Sequence, residues 1–129
     1  MSDLINFLGE VKTQLDRSQL AYKSYINDGK KFLYAKILKS SNDEIRDLLL
    51  KKTYLLPNDQ SKNAVALIHH IDVWSTLWDD AYMSLKPSMK SVFVFDNQVN
   101  FPAKEVESLF EYYDKIRILS DSTSCKEAT

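Results

Sequence analysis

Glycine occurs twice and proline three times in 129 residues. Sandwiches and barrels need turn residues at short, regular intervals, so this scarcity argues against an all-β fold and for long helices with few connections. With two glycines, a glycine-rich phosphate loop is effectively excluded. A single cysteine, Cys125, cannot close an internal disulfide. The fold therefore does not depend on oxidation, and a cytoplasmic setting is expected. Neither sign of charge dominates: 17 basic and 18 acidic side chains give a formal net charge of −1. A nucleic-acid-binding domain with a global basic footprint is thereby excluded, although a local patch is not. No run of 18 apolar residues occurs, and the amino terminus has no basic segment ahead of an apolar one, so no membrane span or secretory leader is expected.

What is present is helical periodicity. The length suits one domain. Leu4, Leu8, Val11, Leu15, Ser18, Tyr22 and Tyr25 recur in alternating steps of four and three, the seam of an antiparallel bundle, over a helix from about Asp3 to Ile26. Gly9 inside it suggests close approach of a neighbouring helix. Asn27-Asp28-Gly29 reads as a stop. A second helix, Lys30 to Lys39, places Leu33, Tyr34, Ile37 and Leu38 on one face. Ser41 and Glu44 have capping-box spacing and open a third helix, Asn42 to Leu55, which Pro57 ends.

The fourth helix, Ser61 to Leu85, carries Ala64, Leu67, Ile68, Ile71, Trp74 and Trp78 on one broad arc, which makes it the central helix. Pro102 opens a fifth, running to about Leu119 with a stripe of Val106, Leu109, Phe110, Tyr113 and Ile116. Between them Val92–Phe101 is β-branched and aromatic around Asp96-Asn97, and reads equally as a short β-hairpin or an irregular loop. The expected architecture is mainly α: a single-domain, antiparallel up-down bundle of about five helices over residues 1–119. Residues 120–129 read as a disordered polar tail containing Cys125.

Chemistry-bearing constellations are sparse. His69 and Asp72 sit one turn apart on a helix, half of a metal site, but nothing elsewhere supplies the other half, and no metal or cofactor is expected. His70 falls at the edge of the apolar arc. Lys62-Asn63 followed by His69 lacks both the arginine and the short spacing of HEPN-type helical ribonucleases, so the chain is not read as one. Paired cysteines and nucleophile motifs do not occur, and a non-catalytic role is favoured.

Two segments read as interaction candidates. Lys30–Lys39 holds four lysines and no acid, with Phe32 between Lys36 and Lys39, an arrangement suited to a protein partner or to stacking on a nucleic acid. A lone hairpin at Val92–Phe101 needs cover, which makes Phe93 and Phe95 candidates for partner contact, or else caps on the helical core. The leading expectation is a small protein-binding or homodimerising module acting through Val92–Phe101, the first-helix seam, or both. The alternative is a nucleic-acid-binding or nuclease-like protein using the Lys30–Lys39 face with His69 and His70.

Overall fold

The computed structural model of the chain describes residues 2–128, and side chains as far as Asp121. It is mainly helical, with four α-helices, α1 (Ser2–Asn27), α2 (Phe32–Lys52), α3 (Asn58–Leu85) and α4 (Ala103–Ala128). A single 3₁₀ turn, Thr53–Leu55, follows α2. α1 packs along α2, α2 along α3, α3 along α4, and α4 returns to α1. Successive helices run in opposite directions, so α1 and α3 lie diagonally opposite, as do α2 and α4. No helix among the described residues is long and apolar enough to cross a membrane.

The expected second and third helices are one, which corrects the count of five to four. Ser41 does not cap a new helix. It lies mid-helix, fully buried, with its hydroxyl donating to the Leu38 carbonyl at 3.0 Å. A serine that satisfies its hydroxyl within its own turn interrupts nothing, and no glycine or proline lies nearby to break α2. The stop after α1 is real: Gly29 and Lys30 both adopt positive φ, 72° and 52°, and the Lys30 amide donates to the Tyr25 carbonyl at 2.8 Å. α4 continues beyond Leu119 to Ala128, through most of the stretch read as a disordered tail, because neither glycine nor proline stops it. Thr129 and the side chain of Cys125 lie outside the described residues.

The Val92–Phe101 hairpin does not form, and the described residues contain no strand. Asp96-Asn97 lacks the glycine that makes a two-residue hairpin turn cheap. The segment pairs with the α1–α2 turn instead. Lys31 and Val92 form an isolated antiparallel bridge, and the Phe93 amide donates to the Lys30 carbonyl at 2.9 Å. In the other direction the Phe32 and Leu33 amides donate to the Ser91 and Met89 carbonyls at 2.8 and 3.1 Å. The first amides of a helix have no partner within it, and Lys31 supplies no side-chain cap at this end of α2. The distant loop therefore meets a need that α2 cannot meet itself.

Two cores result. In the lower half of the bundle, Phe7, Leu8, Val11 and Leu15 of α1 meet Ile45 and Leu49 of α2, Ala64, Leu67 and Ile71 of α3, and Leu109, Tyr113 and Ile116 of α4. In the upper half Phe32, Ala35, Trp78 and Phe93 form a smaller aromatic cluster, with Tyr25, Trp74, Ala81 and Phe95 against it.

Candidate functional site

The residues singled out for partner contact divide sharply. Phe32 is 5% exposed, packed against Trp78, Tyr82 and Phe93 with ring centroids 5.3–5.8 Å apart. It is a core residue, which overturns its expected place on an outer face between lysines. Leu33, expected to face inward, is 41% exposed instead. Lys36 is exposed. Lys39 lies over the Trp78 ring at 5.7 Å, pairs with Asp43 at 2.9 Å and approaches Asp79 at 3.9 Å. Lys31 pairs with Asp28 at 3.1 Å. Lys31 and Lys39 are thus engaged in local contacts, and no aromatic residue is offered between Lys36 and Lys39 for stacking.

Phe93 and Phe95 serve mainly as covers for the helices. Phe93 is fully buried, and the Tyr25 hydroxyl donates to its carbonyl. Phe95 is half-buried, with its ring 6.1 Å from Trp74 and 5.9 Å from Phe93. His69 is exposed. Asp72 is held by Arg46 at 2.5 Å, so its carboxylate is committed to a guanidinium rather than to His69. No group of metal-ligating side chains occurs among the described residues.

What the structure does assemble is a cleft. α4 begins at Ala103, roughly level with the middle of α3: the Phe101 ring meets His70 edge-on at 5.5 Å, and Ser108 lies 3.4 Å from Gln60. The fourth-helix position is therefore filled only in the lower half. Above it, the upper part of α1 and the facing part of α3 stand apart over a floor from α2, with the Val92–Phe101 segment as the remaining wall. The space between them has a volume of about 620 Å³. Its interior presents Leu15, Tyr25, Ile71, Trp74 and Phe95, with Ala35 and Leu38 beneath. Around its mouth Tyr22, Ile26, Val94 and Phe101 are 54, 45, 49 and 47% exposed, four large apolar side chains at one opening.

A few polar groups punctuate this surface. Ser18 donates to the Asn42 side-chain oxygen at 3.4 Å. Burial, with a smaller contribution from Tyr22, raises the pKa of Tyr25 and keeps the phenol protonated. Burial likewise pushes the His70 imidazole below its ordinary value; the Asn100 carbonyl opposes this and His69 adds to it. His70 Nδ1 is buried with no hydrogen-bond partner. Lys23 and Lys30 stand at the mouth, and no carboxylate among the described residues lines the cleft. The described lining is largely apolar, an arrangement suited to binding by apolar burial.

Lys23 and Ile26 were not singled out from sequence, and Tyr22 and Phe101 only as members of the first-helix seam and of the Val92–Phe101 segment. One signal did exist: the first-helix seam ends in Ser18, Tyr22 and Tyr25 rather than aliphatic residues, and amphipathic rings suit a boundary that is half wet. Compared with known proteins, the chain matches no family model, no curated protein and no solved structure.

Proposed function

We propose that this chain is a non-catalytic interaction module that docks a protein partner in the cleft between α1, α3 and the Val92–Phe101 segment. The observation that carries this reading is the four half-exposed apolar side chains around one opening of about 620 Å³. Scattered exposed apolar residues need no explanation, whereas a concave, contiguous set is the surface that partners bury. The two features expected to mediate interaction, the first-helix seam and the aromatic insert, both line this one cleft. A single cysteine supports a reducing, cytoplasmic setting for such a module. The nucleic-acid alternative draws less support, since Lys31 and Lys39 are already paired and Phe32 is interior.

Position-specific photo-crosslinking in cells tests the proposal. A crosslinker at Tyr22, in the mouth, is expected to give a discrete adduct. The same group at Leu20, 66% exposed on the opposite side of α1, is expected to give none. An adduct of twice the chain mass identifies the partner as a second copy, the homodimer. Equal or absent labelling at the two positions overturns the assignment.

A further inference from the structure

The partner's chemistry can be taken further, on the assumption that the cleft is the docking site. In the lower half, the groove between α1 and α3 is occupied by a helix, with Leu109, Tyr113 and Ile116 of α4 entering it. The same groove continues upward past Leu15, still floored by α2, but α4 is absent there. From Leu15 to Ile26 its α1 wall is about 16 Å long, three helical turns at 1.5 Å per residue. A groove that accepts a helix along half its length is pre-shaped for one along the rest. Apolar side chains spaced i, i+4 and i+7 fit the helix-in-groove mode.

Charge narrows the choice. The whole chain is nearly neutral, yet the mouth carries Lys23 and Lys30 and no carboxylate among the described residues. Neither lysine has an ion-pair partner within the described chain. Lys30 is held at its place by the left-handed turn that ends α1. Two uncompensated cations on an apolar rim favour an anionic flank on whatever enters, and disfavour a basic one.

We infer that the cleft takes a three-turn amphipathic helix from a protein partner, its apolar face against Trp74 and Phe95 and its carboxylates beside Lys23 and Lys30. The test uses the full chain and two labelled synthetic helical peptides of about 14 residues, with the same leucine stripe and either glutamate or lysine flanks. Fluorescence anisotropy at low salt is expected to show the acidic peptide binding at least tenfold more tightly. That preference shrinks as salt is raised. It reverses in the double variant Lys23→Glu, Lys30→Glu, both exposed positions where a retained melting transition checks the fold. Equal affinities, a preference for the basic peptide, or an unchanged preference in the double variant overturns the inference.

The anionic apolar dye anilinonaphthalene sulfonate separates this failure from failure of the broader reading. If neither peptide binds but dye fluorescence rises and is lost in Tyr22→Glu, the helix is wrong and the cleft remains a binding site. If dye, peptides and the Tyr22 crosslink are all silent, both fall. Self-association that the acidic peptide cannot displace assigns the cleft to a second copy and overturns the inference.

Discussion

The upper and lower halves of this bundle share α1, α2 and α3 and differ in their fourth wall. Below, a helix closes a largely aliphatic core. Above, an extended segment closes an aromatic one and leaves a cleft open beside it. A helix satisfies its own backbone, so it can be held by side-chain packing alone. An extended segment cannot, and this one borrows the unpaired amides at the start of α2 and the Lys30 carbonyl. Its side chains then supply large rings at few positions. Such closure is locally strong at Phe93 and weaker toward Phe101, where exposure rises and backbone bonds among the described residues no longer reach the α1–α2 turn. Openings of this kind belong to the low-stability end of a fold, where binding surfaces are found.

The largest expected effect tests whether the upper wall depends on one ring. Phe93 is fully buried and touches Phe32, Trp78 and Phe95. Phe93→Ala is expected to cost about 4 kcal/mol in urea unfolding, in the usual range for deleting a buried phenylalanine. A loss below about 0.5 kcal/mol, within the ordinary spread of surface changes, would show that the segment contributes little to folding.

A matched pair of substitutions contrasts the halves directly. Leu109→Ala removes a fully buried side chain of the aliphatic core and is expected to cost about 3 kcal/mol. Tyr22→Ala, at the open mouth, is expected to change stability by no more than about 0.5 kcal/mol. Comparable losses at both positions would mean that Tyr22 is structural, and would remove the cleft's main free anchor.

The two halves also differed in how far they could be read from sequence. Helix periodicity is local, and it located α1, α3 and the Leu109–Ile116 stripe of α4, together with the lower core they build. The upper half depends on contacts some sixty residues apart in the chain, such as Phe32 with Phe93. Local periodicity cannot see them. A helical wheel for Lys30–Lys39 put Phe32 outward, because the lysines looked like its natural company. In the structure Phe32 and Ala35 of α2 point inward, while Leu33 and Lys36 face out. The capping box at Ser41 misled for a related reason: the same spacing occurs inside a continuous helix whose serine is buried and bonded to its own turn. Nothing local showed that α4 would start too low to fill the fourth position, and that offset makes the cleft.

A double-mutant cycle examines how closely the lower half is packed. A Cβ at Gly9 would stand 3.0 Å from the Tyr113 hydroxyl, tighter than ordinary contact. Alanine is favoured over glycine in a helix by about 1 kcal/mol, and the contact offsets that gain. Gly9→Ala alone is therefore expected to be close to neutral. In a Tyr113→Phe background the obstruction is gone and the same change is expected to stabilise by about 1 kcal/mol. Identical effects in the two backgrounds would show that α1 and α4 are loosely apposed here, and the contrast between closed and open halves would weaken.

The smallest expected effect concerns His70, where the helical wall of the cleft meets the extended one. Its Nδ1 has no hydrogen-bond partner, Phe101 lies edge-on to the ring, and burial depresses its pKa below the ordinary 6.5. Charges facing it are few: His69 disfavours protonation further, the Asn100 carbonyl opposes that, and no carboxylate among the described residues lines the cleft to balance an imidazolium. As pH falls through 6.5 the unfolded chain takes up this proton before the folded one, so the stability tied to neutral His70 is fully present above that value and declines below it. Protonation in the folded state places an uncompensated charge against Phe101 and loosens the segment there. Urea midpoints measured from pH 7.5 to 5 are expected to fall more steeply for the native chain than for His70→Phe, while His69→Gln, which removes only the smallest of the causes, changes the slope less than His70→Phe does. Amide exchange at Val99 to Phe101 should quicken over the same range, and amides of α1 from Phe7 to Leu15 should not. Parallel slopes in the native chain and His70→Phe would place His70 outside the contacts that hold this wall closed.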